Sequence, residues 1–173
     1  MKEIEVRILD VDVPEVRMRL KQIGAKKVFD GKVHTNIFDF GKKSLKKKNQ
    51  MLRLRTLGNT NALCYKGQQN ASKKFKCKEE IEVLVDNFEN AALILQRLGF
   101  KKDWEYTKRR ESYKIGKAVV EIDKYAQIPA LIEIEAPTEK DVVATVKKLG
   151  YEMKDTTNAS FPEILKFYKI KIK

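Results

Sequence analysis

The chain has 173 residues, 42% of them hydrophobic, enough for one domain with a sizeable core. No apolar run approaches the roughly 18 residues that a membrane-crossing helix requires. The charged start Met1-Lys2-Glu3-Ile4-Glu5 is unlike a secretion signal, so no membrane partner is expected. The net charge of +13 calls for an anionic partner; Cys64 and Cys77 show neither a metal spacing nor a disulfide framework, which fits reduced thiols in a cytoplasmic protein.

Residues 2–9 alternate charged and apolar side chains and predict a strand with one polar face. Asp12, with Glu15 three positions on, opens a helix striped by Val13, Val16, Leu20 and Ile23 and stopped at Gly24. Residues 27–40 read as extended, and further strands are expected at 50–57, 62–66 and 73–85. A second helix is expected behind Asp86 as cap, with Glu89, the stripe Phe88, Ala92, Leu95 and Leu98, and a stop at Gly99. Strands follow at 104–115, 117–125 and 131–135. Thr138 with Asp141 caps a third helix, striped by Val142, Val146 and Leu149 and ended by Gly150. A short C-terminal helix over 161–168 places Pro162 at its first position. The lysine-rich stretches 42–48 and 70–74 read as loops or strand ends. No linker divides the chain, so a single α+β domain over residues 1–173 is expected.

The tripeptide Glu-Ile-Glu occurs three times, at 3–5, 80–82 and 133–135, each time ahead of one of the three capped helices. Period-two alternation gives every strand two faces, and in these strands one face is almost purely ionic. The cations so aligned are Arg7, Arg53, Arg55, Lys66, Lys76, Lys78, Lys108 and Arg110; the carboxylates are Glu3, Glu5, Glu80, Glu82, Glu121, Asp123, Glu133 and Glu135. A solvated face over a helix-covered apolar side is the commonest arrangement of an antiparallel sheet, but solvated faces usually mix in neutral polar residues. About eight strands with few helices instead suggest an eight-stranded antiparallel closed β-barrel, helices outside and ionic faces within. A charged interior is costly unless its charges are paired or meet a ligand. Both signs at high density suit a polyphosphate and its metal: Arg and Lys grip phosphate oxygens, and carboxylates hold Mg²⁺ or Mn²⁺.

These motifs together resemble the CYTH superfamily of triphosphate-tunnel enzymes, which includes class IV adenylyl cyclases and thiamine or inorganic triphosphatases. Glu3-x-Glu5-x-Arg7 is similar to that family's N-terminal ExExK signature, with arginine in place of the usual lysine. Arg53-x-Arg55, Lys66, Glu80-x-Glu82, Arg110, Glu121-x-Asp123 and Glu133-x-Glu135 follow in the family's order, over nearly the whole chain. The resemblance implies a triphosphate bound by Arg7, Arg53, Arg55, Lys66, Lys76, Lys78, Lys108 and Arg110. It implies a divalent metal, Mg²⁺ or Mn²⁺, held by the acids, with Glu3, Glu5, Glu133 and Glu135 the leading candidates and Glu80, Glu82, Glu121 and Asp123 joining them or positioning cations. Glu3, Glu5 and Arg7 are the candidate catalytic residues.

Two chemistries fit that tunnel. A cyclase closes ATP to cyclic AMP and pyrophosphate; a triphosphatase releases orthophosphate from ATP, thiamine triphosphate or tripolyphosphate. The spacing of the last acidic motifs looks more like the class IV cyclase branch. A reading from another class, a non-catalytic RNA- or polyphosphate-binding module, explains the basic charge but not eight inward acids. The resemblance leaves a homodimer open. His34, the sole histidine, is expected at an ordinary strand or rim position, and Trp104 with Tyr106 in core or rim packing rather than on a ligand.

Overall fold

A computed structural model describes the backbone of residues 2–71 and 75–171; the side chains of residues 2, 3, 68–71 and 76–78 lie outside the described set. The strands are β1 (Lys2–Ile8), β2 (Lys26–Phe40), β3 (Met51–Leu57), β4 (Thr60–Ala71), β5 (Lys76–Val85), β6 (Phe100–Ile115), β7 (Ala118–Lys124) and β8 (Leu131–Ala136). The helices are α1 (Val13–Gln22), α2 (Ser44–Lys47), α3 (Phe88–Arg97), α4 (Glu139–Lys148) and α5 (Phe161–Phe167), with a 3-10 turn at Met153–Asp155.

All strand pairs are antiparallel. The order β1-β5-β4-β3-β2-β6-β7-β8 returns on itself because β1 bonds to both β5 and β8, so the sheet closes. Closure agrees with the alternation. The outward residues Val6, Ile8, Val120, Ile122, Ile132 and Ile134 are buried because α1 and α4 lay Val16, Leu20, Val142, Val146 and Leu149 over them. Around the barrel, α3 covers Phe38 and Leu54 with Leu95. The segment after the 3-10 turn crosses back to β1, where Thr157 and Arg7 exchange two backbone hydrogen bonds of 2.8 Å. From there α5 packs Ile164 and Leu165 on Leu131 and Ile128.

Capping matches expectation at α1, where Asp12 accepts from the Glu15 N–H, and at α4, where Thr138 accepts from the Asp141 N–H. At α3 the cap is Asn87 rather than Asp86; its amide oxygen accepts from the Asn90 N–H. Either residue type can cap, and only the backbone turn decides which one sits at the half-helical position. Leu98 is not in the buried stripe of α3 but 66% exposed, because it follows the helix's last turn beyond the wall that Leu95 covers. Pro162 is the second residue of α5, behind Ser160 as cap. The 42–48 stretch is not all loop: Asp39 accepts from the Leu45 and Lys46 N–H groups and so fixes the short α2. Among the described residues, no helix is long and apolar enough to cross a membrane.

Candidate functional site

The inward strand faces bring their ionic groups to one cavity of about 470 Å³ inside the barrel. The described lining includes the cations Arg7, Arg53, Arg55, Lys66, Lys108 and Arg110 and the carboxylates Glu5, Glu80, Glu82, Glu121, Glu133 and Glu135. These are not solvated faces: Glu5 is 6% exposed, Arg7 9% and Arg110 5%. Asp123, fully enclosed, sits behind the lining and accepts from Lys108 (2.6 Å) and from both sides of the Arg110 fork (2.6 and 2.7 Å). The side chains of Glu3, Lys76 and Lys78 lie outside the described residues; their backbones pair β1 with β5, Glu3 opposite Lys78 and Glu5 opposite Lys76.

The lining divides into two walls. On β3, β4 and β5, Arg53 donates to Glu80 (3.0 Å), Arg55 to Glu82 (2.9 Å), and Lys66 pairs with Glu80 (2.5 Å). This wall has three described cations and two carboxylates. On β1, β6, β7 and β8, Arg7 donates to Glu133 (2.7 Å) and Glu5 (2.9 Å), and Arg110 pairs with Glu121 as well as Asp123. Here Arg7, Lys108 and Arg110 meet five carboxylates, an excess of acid. Register makes the excess unavoidable, since Glu5 lies directly opposite Glu135 and Glu121 opposite Glu133, and facing like charges repel.

The titration behaviour follows the same division. Burial pushes the Glu121 carboxyl above its ordinary value and, with Glu133 and Asp123, overrides the opposing pull of Arg110. Glu80, by contrast, is held down at about 2: burial works against it, but Lys66 and Arg53 prevail. Burial raises the Cys64 thiol to about 11, and its Sγ donates to Glu80 (2.9 Å).

The donor chemistry fits a hard divalent cation. One oxygen each of Glu5, Glu133 and Glu135 lies within 4.8 Å of the others, an all-carboxylate set on the acid-rich wall. Cys64, Glu80 and Glu82 form a second such group; it includes a thiol, and its acids pair with Arg53, Arg55 and Lys66, as Glu5 and Glu133 of the first pair with Arg7. The first and third Glu-Ile-Glu copies thus converge, whereas the middle one orders cations.

An aromatic wall completes the cavity. Trp104, Tyr106 and Tyr125 line it with Phe161 of α5, the Tyr125–Phe161 and Trp104–Tyr106 rings stacking at 4.4 and 4.9 Å. Trp104 and Tyr106 pack on Phe161, and Trp104 also on the Ile128–Leu165 cluster, in keeping with the expected core or rim packing, and both line the cavity as well. Their even numbers share the face of Lys108 and Arg110, a signal the sequence carried. Phe161 carried none, because α5 joins the barrel only through tertiary packing. Arg7 ties that segment down by donating to the Ala159 carbonyl (2.6 Å). His34 is remote: it contacts Thr107 (3.1 Å) and the Phe88 ring on the outer surface. A further buried acid, Glu111, points outward beneath α1; chiefly its hydrogen bond from Arg17, then those from Lys27, Tyr113 and Lys124, hold it far below the usual carboxylate range.

The sequence model of the CYTH domain matches residues 1–161. This chain belongs to the CYTH domain family. Among relatives of the CYTH chain, a Methanocaldococcus jannaschii protein named "Putative adenylate cyclase" is 30% identical over 150 residues, covering 83% of each chain. A Vibrio parahaemolyticus structure described by the same words superposes with a TM-score of 0.84 at 16% identity, over 95% of this chain and 97% of that one. A Hippeastrum structure, described as an adenylyl cyclase candidate with a dominant triphosphatase activity, has a TM-score of 0.68 at 17% identity, over 96% and 95%. At those identities the two structures establish the shared CYTH fold.

Proposed function

We propose that this CYTH chain is a metal-dependent enzyme that holds a nucleoside or other triphosphate inside its charged barrel, and that it converts ATP to cyclic AMP and pyrophosphate. The observation that carries the reading is the division of the cavity into a cation-rich and an acid-rich wall. A triphosphate with a divalent ion has the complementary polarity.

Arg53, Arg55 and Lys66, with Lys76 and Lys78 further along β5, grip phosphate oxygens, and Arg7, Lys108 and Arg110 reach the same ligand from the opposite wall. The guanidinium groups turn their remaining donors to phosphate, while Glu80, Glu82 and Asp123 keep them in position. Glu5, Glu133 and Glu135, joined by Glu3 and Glu121, would hold Mg²⁺ or Mn²⁺. When bound, such an ion neutralises phosphate charge and polarises phosphorus. Glu3, Glu5 and Arg7 are the groups proposed to act at the reacting phosphate. Although burial opposes its charge, Glu133 and Glu5 keep Arg7 protonated, so it stabilises negative charge and does not serve as a neutral base. In the cyclase reaction the ribose 3′-oxygen attacks the α-phosphorus and pyrophosphate leaves.

The name of the Methanocaldococcus jannaschii relative supports the cyclase. The same cavity serves a triphosphatase, in which water attacks the terminal phosphorus, and the dominant triphosphatase activity ascribed to the Hippeastrum protein favours keeping that second reading. Incubation with ATP, thiamine triphosphate and tripolyphosphate in Mg²⁺ or Mn²⁺, with product separation, decides between them. Cyclic AMP with pyrophosphate supports the first and orthophosphate the second; no turnover of any of the three sinks both. Glu5→Ala is expected to lower turnover at least about 100-fold with its circular dichroism unchanged, an effect of the size of losing one transition-state charge contact. A non-catalytic RNA or polyphosphate binder would instead bind anions as well or better after that change.

A further inference from the structure

The unit formed by β5 and α3 differs from the rest of the outer surface in two ways. Of the ten large apolar side chains exposed among the described residues, six lie between positions 81 and 98: Ile81, Val83, Leu84, Leu93, Ile94 and Leu98. Single exposed apolar residues are ordinary, but a concentration of them marks a contact surface. The same stretch, residues 79–98, carries five carboxylates and one cation, Arg97, in a chain of net charge +13. Within it α3 presents an ordered face. Phe88, Ala91, Ala92 and Leu95 pack towards the barrel. That leaves Glu89, Leu93 and Arg97, spaced by four, in one outward row with Ile94 beside Leu93. Leu93 is 48% exposed and Ile94 60%. Neither Glu89 nor Arg97 has an ion-pair partner within the chain among the described residues. The row runs acid, apolar, base, so it complements itself when turned end for end.

We propose that α3 is the interface through which two copies of this chain associate, the helices packing antiparallel about a two-fold axis at Leu93. Glu89 and Arg97 lie eight residues apart, about 12 Å along the helix, with Leu93 midway. Antiparallel packing therefore sets Glu89 against the partner's Arg97, and Arg97 against the partner's Glu89, as a two-fold interface requires. Between those ends Leu93 and Ile94 are buried against their counterparts, with helix axes about 8–10 Å apart. On β5, Val85 packs beneath α3, and the exposed Val83 and Ile81 follow on the same outward side and extend the apolar area. Charge selects a second copy over a lipid surface or a nucleic acid. Those partners call for a basic face, whereas this stretch is acidic and α3 itself has one charge of each sign. It is also where two copies of a strongly basic chain repel each other least.

Sedimentation velocity over a range of chain concentrations tests this, with circular dichroism to confirm folding. A single helix pair with a modest apolar surround predicts a reversible dimer, filled at about 100 µM and dissociated by about 0.1 µM. Leu93→Glu is expected to leave only monomer, since it brings two carboxylates together at the axis. Glu89→Arg and Arg97→Glu are each expected to weaken the dimer at least about tenfold, because each replaces both ion pairs by like charges. An equimolar mixture of the two reversed chains pairs opposite charges again, and is expected to associate within about threefold of wild type. Such rescue does not arise from a folding defect. A wild-type chain that stays monomeric at 100 µM overturns the proposal. So does a dimer that the two charge reversals leave unchanged, or a mixture no tighter than its components. Monomeric chain that instead sediments with phosphatidylserine vesicles, and loses this with Leu93→Glu, would assign the face to a membrane and also overturn it.

Discussion

Single residues in the barrel illustrate how a buried charge is tolerated. Glu80 is surrounded by Lys66, Arg53 and the Cys64 thiol, and its pKa is held at about 2 against an ordinary 4.5. A carboxyl depressed on folding contributes stability that is complete above its unfolded value and is lost as pH falls through its folded value. The urea midpoint is therefore expected to fall as pH drops from about 4.5 towards 2, and Glu80→Gln is expected to flatten that window. A wild-type midpoint that stays level across the window would contradict the assignment. Arg7 shows the same principle with opposite sign: it bridges Glu5, Glu133 and the Ala159 carbonyl, and so joins the first strand, the last strand and the C-terminal segment. The side-chain identities were legible in sequence; that one arginine serves two distant partners besides Glu5 was not, because Glu133 and Ala159 are 126 and 152 positions away.

At the level of elements, the helices are held by covering hydrophobic strand faces rather than by intrinsic propensity. α4 buries Val142, Val146 and Leu149 on the outer side of β1, β7 and β8, the strands whose inner side carries the acids. Its cap is a local device: Thr138 accepts from the Asp141 N–H at 3.1 Å. Thr138→Ala is expected to cost about 1 kcal/mol in denaturant unfolding while leaving ligand affinity unchanged, since the residue is exposed and outside the cavity. The caps at Asp12 and Thr138 were readable because they depend on three adjacent residues. Asn87 at α3 was missed by one position, as was Pro162 at α5, because neighbouring residues of suitable type compete and the entry angle of the chain selects among them. The register of β1 with β8 lay further out of reach: the facing acids Glu5 and Glu135 are 130 residues apart, and nothing local announces that they meet.

Over the whole molecule, the net charge of +13 lies almost entirely outside the described cavity lining, where six cations meet six carboxylates. On the proposed triphosphate reading, the outer field attracts the anionic ligand and the inner groups hold it. Raising ionic strength from about 0.01 M to 0.15 M shortens the screening length from about 30 Å to about 8 Å, so the association rate for ATP is expected to fall steeply with salt. The dissociation rate, set by contacts inside the barrel, is expected to change much less. Stopped-flow mixing at several salt concentrations measures both; a salt effect confined to dissociation would contradict steering.

Alternation alone determined that one side of each strand is ionic and the other apolar, and hence which residues share a face. That information is local, since side chains in a strand point to opposite sides with period two. Composition added the expectation of an anionic partner, and the order of the charged motifs carried the likeness to the CYTH family. Closure decided the rest. Only when β1 bonds to both β5 and β8 do those faces turn inward. Only then do Glu5, Glu133 and Glu135 converge within 4.8 Å and Phe161 come to stack on Tyr125. Long-range hydrogen bonding and the packing of α5 set those distances, and neither leaves a periodic trace in the chain.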